Sequence, residues 1–202
     1  MYRVYGMASS GNCYKVYLTL KQLGHAFEWV ETDIMKGTTR TPEFLAMNPN
    51  GQVPTLEIEP GQFLPESNAI LCYLAEGTLL LPDDRFQRAQ VMRWLFYEQY
   101  SHEPYVAVAR FIVHFLGNPS ERKGDLEMRH KRGYQALDLM EQHLADKEFF
   151  VAERYSIADI ALYAYTHVAE TGGFDLRGYP RVKNWLARVL AQPRYVAMAQ
   201  GI

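Results

Sequence analysis

Cysteine is scarce: Cys13 and Cys72 are the only two in 202 residues, too few and too far apart for the disulfide framework of a small secreted domain. A reducing cytoplasm is the expected location. No apolar run reaches the roughly 18 residues that a membrane span requires, and no charged-then-apolar leader precedes the first apparent strand. Neither sign of charge accumulates: 21 basic and 23 acidic residues leave a formal net charge of -2, without a long run of either. Nucleic acid and membrane surfaces are therefore excluded as expected partners. The 6 histidines show no metal-ligand spacing, no glycine-rich phosphate loop is present, and there is no repeat or low-complexity tract. No metal and no resident cofactor are expected. Apolar residues are plentiful instead, at 48% with 13% aromatics, enough for one large or two small cores.

Residues 1–77 alternate in a strand and helix rhythm. Strands are predicted over Tyr2 to Gly6, Phe27 to Thr32, Thr55 to Ile58 and Gln62 to Leu64. Helices are predicted over Cys13 to Leu23, Pro42 to Met47 and Ser67 to Glu76. Cys13, Val16, Tyr17, Leu20 and Leu23 have the spacing of one buried stripe, which Gly24 ends. The order β-α-β-α-β-β-α predicts a small sheet covered by helices, with a hairpin around Pro60-Gly61.

Periodicity lapses from Gly77 to Asp84, and everything in 85–202 is expected to be helical. Helices are predicted over Arg85 to about Leu116, Asp125 to Ala145, Ser156 to Glu170, Tyr179 to Ala191 and Pro193 to Gln200. Within Tyr155-Ser156-Ile157-Ala158-Asp159-Ile160, Ser156 and Asp159 have the spacing of a reciprocal capping box. That box accounts for Asp159 without chemistry, with Ile157, Ile160, Ala161, Ala164 and Val168 forming one apolar face.

Three segments could carry chemistry. Ala8-Ser9-Ser10-Gly11-Asn12-Cys13 opens a helix, whose unpaired N–H groups and dipole stabilise an anion such as a thiolate. A serine hydroxyl there can donate to a sulfur, or Ser9, Ser10 or Asn12 can simply cap the helix. Val53-Pro54 stands at the mouth of a strand. An ordinary trans turn is the expectation from the dipeptide alone, whereas a cis bond would expose the Val53 backbone to an extended peptide-like ligand. Glu66-Ser67 begins another helix, either as an exposed acid and a cap or as partners for an ammonium and a carboxylate. Brought to one sheet edge, these groups match a thiol, a peptide unit and an amino-acid end, which are the groups of glutathione. Cys13 falls on the buried stripe with no second cysteine in Cys-x-x-Cys spacing, and Tyr5 lies inside a strand, so neither is favoured as the activating group.

The patterns Ser-x-x-Cys-x-x-Val from Ser10, Asn-Pro-x-x-x-Val-Pro-x-Leu from Asn48, Glu-Ser-x-Ala-Ile from Glu66 and Tyr-Ser-Ile-Ala-Asp-Ile from Tyr155 recur in this order. On them the chain resembles, over nearly its whole length, the cytosolic glutathione transferase family, and among its branches the bacterial, theta- and delta-like serine type. The resemblance implies an α/β plus all-α fold: a thioredoxin-like N-terminal domain over 1–77 followed by an all-helical C-terminal domain over 85–202. It implies a cis Pro54, a homodimer, glutathione as co-substrate rather than cofactor, and a hydrophobic electrophile as the second substrate, as in detoxification.

Carried over by position, Ser10 matches the serine that donates to the glutathione sulfur, with Ser9 and then Asn12 as alternatives. Val53 matches the residue pairing with the cysteinyl backbone, and Glu66 and Ser67 match the pair holding the γ-glutamyl end. Gln52 stands where relatives often carry a lysine for the glycyl carboxylate, replacing a charged contact with a neutral one. The electrophile is expected between the domains, with Tyr105 and Arg110 on the long helix as its best candidates. The same site would also suit a peroxidase, a thiol-disulfide reductase or an isomerase, and related folds serve as binding modules without turnover.

Overall fold

Strand β1 (Tyr2–Gly6) alternates, turning Val4 and Gly6 inward, as a half-buried strand requires. It runs parallel to β2 (Phe27–Glu31), with Val4 opposite Trp29. On its other side it runs antiparallel to β3 (Thr55–Glu59), with Tyr5 opposite Thr55. β3 continues antiparallel into β4 (Gln62–Pro65), with Thr55 opposite Pro65. The sheet order is therefore β2-β1-β3-β4. In this computed structural model residues 1–198 are described. Met1–Thr78, joined by the segment from Pro193, forms one compact unit, and Leu79–Gln192 forms a second.

A parallel pair needs a crossover, which helix α1 (Gly11–Leu23) supplies between β1 and β2. Gly24 ends it at φ 72, its N–H bonded back to Leu20 and Lys21. Cys13, Val16 and Leu20 are fully buried as the stripe predicts, while Tyr17 and Leu23 are half-buried. Tyr14, Lys15, Leu18 and Thr19 are buried as well. Helix α3 (Ser67–Ala75) packs along one flank of α1, and the tail from Pro193 covers another. Tyr14 Oη donates to the Val196 carbonyl at 2.7 Å. Between β2 and β3 stands the short helix α2 (Pro42–Met47), capped by Thr41. This is a thioredoxin-like domain.

The helix predicted over Pro193 to Gln200 is absent from 193–198, and Gln200 lies outside the described residues. The physical reason is at Arg194, whose φ of 55 is incompatible with a right-handed helix.

In the second unit, the stretch predicted as one helix to about Leu116 is divided. Helix α4 (Arg85–Tyr97) passes into a π-helical turn at Glu98–His102, then α5 (Glu103–Arg110), then a second π-helical turn at Phe111–Phe115. The Glu103 N–H reaches back five residues to the Glu98 carbonyl, and Leu116 does the same to Phe111 at 3.0 Å. Pro104 brings no N–H to the ladder just after the first of these turns, so the helix widens there instead of continuing in register. Three more helices complete the unit: α6 (Lys123–His143), α7 (Ile157–Thr166) and α8 (Pro180–Leu190).

The capping box forms as the spacing predicts. Asp159 Oδ2 accepts from the Ser156 N–H at 2.9 Å and from the Ser156 hydroxyl at 3.1 Å. Its other oxygen accepts from the Phe150 N–H at 3.1 Å and from Trp185 Nε1 at 2.9 Å. The carboxylate thus ties the start of α7 to the preceding loop and to α8, and burial pushes it up to about 6 against the pull of these donors. All ten residues of α7 are buried, so its apolar character is not confined to the one predicted face. It is the central helix of its unit.

Candidate functional site

The register puts three chain segments at one end of the sheet. β1 leaves it at Gly6, β3 starts there just after Val53-Pro54, and β4 ends there at Pro65, directly before Glu66. Local geometry then positions each candidate. The turn after β1 is closed by Ser10 N–H donating to the Met7 carbonyl at 2.9 Å. Ser10, in extended conformation, caps α1 by accepting from the Cys13 N–H at 3.4 Å. The capping reading therefore holds for Ser10, yet an accepting hydroxyl keeps its own hydrogen to donate, at the end of a helix that attracts anions. Ser9 is half-buried beside it. Glu31, from the end of β2, accepts from the Ala8 N–H at 3.2 Å and from Trp29 Nε1 at 2.8 Å, steadying the loop that carries both serines.

Cys13 is fully buried, accepts from the Met7 N–H at 3.4 Å, and has its thiol pushed up to about 12, chiefly by burial. It is not a thiolate near neutral pH and cannot serve as a nucleophile.

The Val53-Pro54 bond is cis, the alternative that the dipeptide alone did not favour. Asn48, nearly buried, holds this turn: its Nδ2 donates to the Gln52 carbonyl at 2.8 Å and to Thr55 Oγ1 at 3.3 Å. Among the described residues, none pairs with the Val53 N–H or carbonyl, which leaves one residue at the end of the sheet with both of its backbone hydrogen-bonding groups to offer. Pro54 is buried and Gln52 is exposed.

Glu66, not Ser67, occupies the cap position of α3. It sits at φ 71, ψ 108 and makes no side-chain cap bond. A non-glycine residue in that region is strained, and such residues gather at ligand sites. Its carboxylate is exposed. Ser67 is the first helical residue, nearly buried, and instead of capping its own helix it donates to Asn12 Oδ1 at 3.4 Å. Lys15 Nζ, wholly buried, donates to Ser67 Oγ at 3.4 Å and to Asn68 Oδ1 at 3.5 Å. The first turns of α1 and α3 are thereby joined through side chains, and Asn12 and Ser67 stand together.

The structure adds two residues that sequence reasoning missed. Lys15 lies one position from the predicted stripe, and the apolar spacing gives no signal that it is buried. Arg40 follows a turn with no regular pattern, yet its Nη1 donates to the Asn50 carbonyl at 3.3 Å and occupies the space a side chain at Gly51 would need. A guanidinium therefore stands beside Gly51, the residue before Gln52.

The second-unit candidates divide. Tyr105 is half-buried on α5. Arg110 is turned into its own unit: its Nε donates to Thr171 Oγ1 at 3.1 Å and its guanidinium lies 5.0 Å from the Phe115 ring centre. Burial lowers its pKa. Its side chain is committed to packing. Among the described residues no cluster of three or more His, Cys, Asp or Glu could hold a metal ion, and no helix is long and apolar enough to cross a membrane.

Comparison with known proteins gives the same outline. The profile of the glutathione S-transferase N-terminal domain matches residues 1–76, and that of the C-terminal domain matches residues 105–193. The disulfide-bond oxidoreductase YfcG of Escherichia coli K12 is 30% identical over 193 residues, 92% of this chain and 89% of the relative. A crystal structure of a glutathione S-transferase from Pseudomonas fluorescens Pf-5 superposes with a TM-score of 0.96 at 56% identity, covering 98% of each chain. A glutathione transferase family member from the same strain, solved with two glutathione bound, superposes at 0.84 with 29% identity, covering 96% of this chain and 89% of that one.

Proposed function

This chain belongs to the glutathione S-transferase family, and we propose that it binds glutathione on its first unit, ionises the thiol, and adds the sulfur to a hydrophobic electrophile. The observation that carries the reading is the unpaired backbone N–H and carbonyl of Val53, beside cis Pro54. Backbone N–H and C=O groups left open at the end of the sheet suit the main chain of an extended peptide. Around it, Glu66 would take the ligand's ammonium and the Ser67–Asn12 pair its γ-glutamyl carboxylate, while Arg40, with Gln52, would take the glycyl carboxylate.

The ligand's sulfur would lie at the start of α1, where Ser10 donates and the helix dipole favours the anion. A thiol near its ordinary pKa is only a few per cent thiolate at pH 7, and lowering that pKa to about 7 makes about half of it reactive. The thiolate then forms a carbon–sulfur bond, and the electrophile expels its leaving group with the bonding pair or takes up a proton. Glutathione is a co-substrate in this scheme, and the second substrate's class is left to the helical unit, with Tyr105 as the candidate there. A serine-type site, a cytoplasmic homodimer and a role in detoxification belong to the same proposal.

The test is the thiolate absorbance of bound glutathione against pH, expected to titrate well below free glutathione, with Ser10→Ala moving it back up. An unshifted wild-type titration defeats the serine mechanism. Turnover is then assayed with a chloro-nitro aromatic, an organic peroxide and a low-molecular-weight disulfide.

The relationship to YfcG favours a second reading, disulfide exchange. Because Cys13 is buried with its pKa raised, the attacking sulfur would have to be glutathione's own. Its thiolate would attack one disulfide sulfur, forming a mixed disulfide and expelling the other as thiolate. Activity on the disulfide that survives Cys13→Ala, with none on the aromatic, selects this reading.

A further inference from the structure

The fully buried Lys15 is unaccounted for by the residues that would grip the peptide. A lysine is almost never wholly buried without a specific partner, and here the ammonium spends donors on Ser67 Oγ at 3.4 Å and Asn68 Oδ1 at 3.5 Å, both in the first turn of α3. Ser67 passes its own hydrogen to Asn12 Oδ1 at 3.4 Å. The three side chains are linked in sequence by these hydrogen bonds: cation, hydroxyl, amide. A hydroxyl whose oxygen accepts from a cation has its O–H bond polarised and becomes a stronger donor, more so in a site of low dielectric. With Lys15 donating to its oxygen, Ser67 turns its hydrogen away from the ammonium, toward Asn12 Oδ1 or toward an acceptor arriving beside it.

We propose that Lys15 is a positioning residue for the γ-glutamyl carboxylate of the ligand: it orients and polarises the Ser67 hydroxyl, conveying a buried positive charge to a carboxylate it does not itself touch. This rests on the glutathione reading and deepens it, because it locates the discrimination for that carboxylate in α1 rather than in α3 alone. A neutral residue of similar length in place of Lys15 removes the cation from the Ser67 oxygen and leaves its hydroxyl an ordinary donor. The selectivity for a ligand carrying that carboxylate then falls, while contacts made by Val53, Arg40 and Ser10 persist.

The experiment measures binding by calorimetry for glutathione and for γ-aminobutyryl-cysteinyl-glycine, which lacks only the α-carboxylate, in the wild type, Lys15→Met, Lys15→Gln and Lys15→Arg. The wild type is expected to prefer glutathione by about tenfold or more, the worth of roughly one charge-assisted hydrogen bond. Lys15→Met and Lys15→Gln should bring the two peptides to within about twofold of each other, leaving affinity for the truncated peptide close to wild type, and Lys15→Arg should restore most of the preference. Lys15→Gln keeps a polar end in the same space and stands in for Lys15→Met should the apolar variant not fold. A preference of wild-type size in either neutral variant overturns the inference while leaving glutathione binding intact. A wild type that binds neither peptide overturns the glutathione reading and this inference with it.

Discussion

Ser10 accepts from the Cys13 N–H at 3.4 Å, and under the proposed mechanism the same hydroxyl would also offer its hydrogen to a ligand sulfur. The tasks separate by substitution. Ser10→Ala should lower unfolding stability by about 1 kcal/mol through the lost cap, while Ser10→Asn, a good cap, should recover that loss. Chemical denaturation measures the cap and the thiolate titration measures the donor. Asp159 has no such second task, since its four hydrogen bonds define the hub of the helical unit. Asp159→Asn turns an amide NH2 toward donors and should destabilise by roughly 3 kcal/mol. The pH dependence has a definite sign. Burial raises the folded-state pKa to about 6 from an unfolded value near ~3.9, so between these values the folded protein holds a proton that the unfolded chain has released. Stability from this group is full below the lower value and is lost as pH rises through the upper. The wild type's advantage over Asp159→Asn, measured by urea unfolding, should therefore shrink from pH 4 to pH 7. An advantage that grows over that range contradicts the assignment.

Among the elements, α5 shows how a helix can be confined from outside. The short 3₁₀ turn Ala169–Gly172 lies against it, and a methyl group added at Gly172 would stand 2.8 Å from the Arg110 backbone nitrogen and 3.1 Å from its Cα. Backbone cannot swing aside as a side chain can. Gly172→Ala should therefore destabilise the protein by about 2 kcal/mol, the size of an overpacking penalty, read as a lowered denaturation midpoint. Gly178→Ala, where an added methyl meets nothing within 4 Å, serves as the control and should shift it little. The apolar spacing of 85–116 carries no trace of the two π-helical turns that flank α5. His167, at the end of α7, is stacked on Tyr163 at 4.5 Å, with burial lowering its pKa to about 4. It is a neutral packing group, not a base held for catalysis.

On the scale of the whole chain, the last described segment returns to the first unit rather than extending the helical one. Tyr14 donates to the Val196 carbonyl and Arg194 lies against Gly24, at opposite ends of α1. Removing residues 193–202 should uncover α1 and lower its stability selectively. Hydrogen exchange should then show faster exchange of α1 amides with those of α7 unchanged. Uniform loss across both units would contradict a local role for the tail. Under the proposed function the truncated protein should also bind glutathione more weakly, because Ser10 caps α1 and Asn12 and Lys15 lie on it.

Several things were determined by the sequence itself because local chemistry determines them. Period-2 and period-3.6 patterning marked the strands of the first unit and most helices. Gly24 marked where α1 stops, and the Ser156–Asp159 spacing marked where α7 starts. The residues of the candidate site were legible as short motifs, because a cap, a proline at a strand mouth and an acid-hydroxyl pair each leave a local signature. Tertiary structure alone decided the rest. The Val53-Pro54 isomer depends on what surrounds the turn. Ser67 faces Asn12 and Lys15, rather than its own helix, only because α1 and α3 are packed together. Lys15 and Arg40 find their partners 52 and 10 positions away, and the tail abandons its helical pattern for a place against α1. A motif records what a residue does to its own backbone, whereas a buried charge takes its meaning from the groups that folding brings around it.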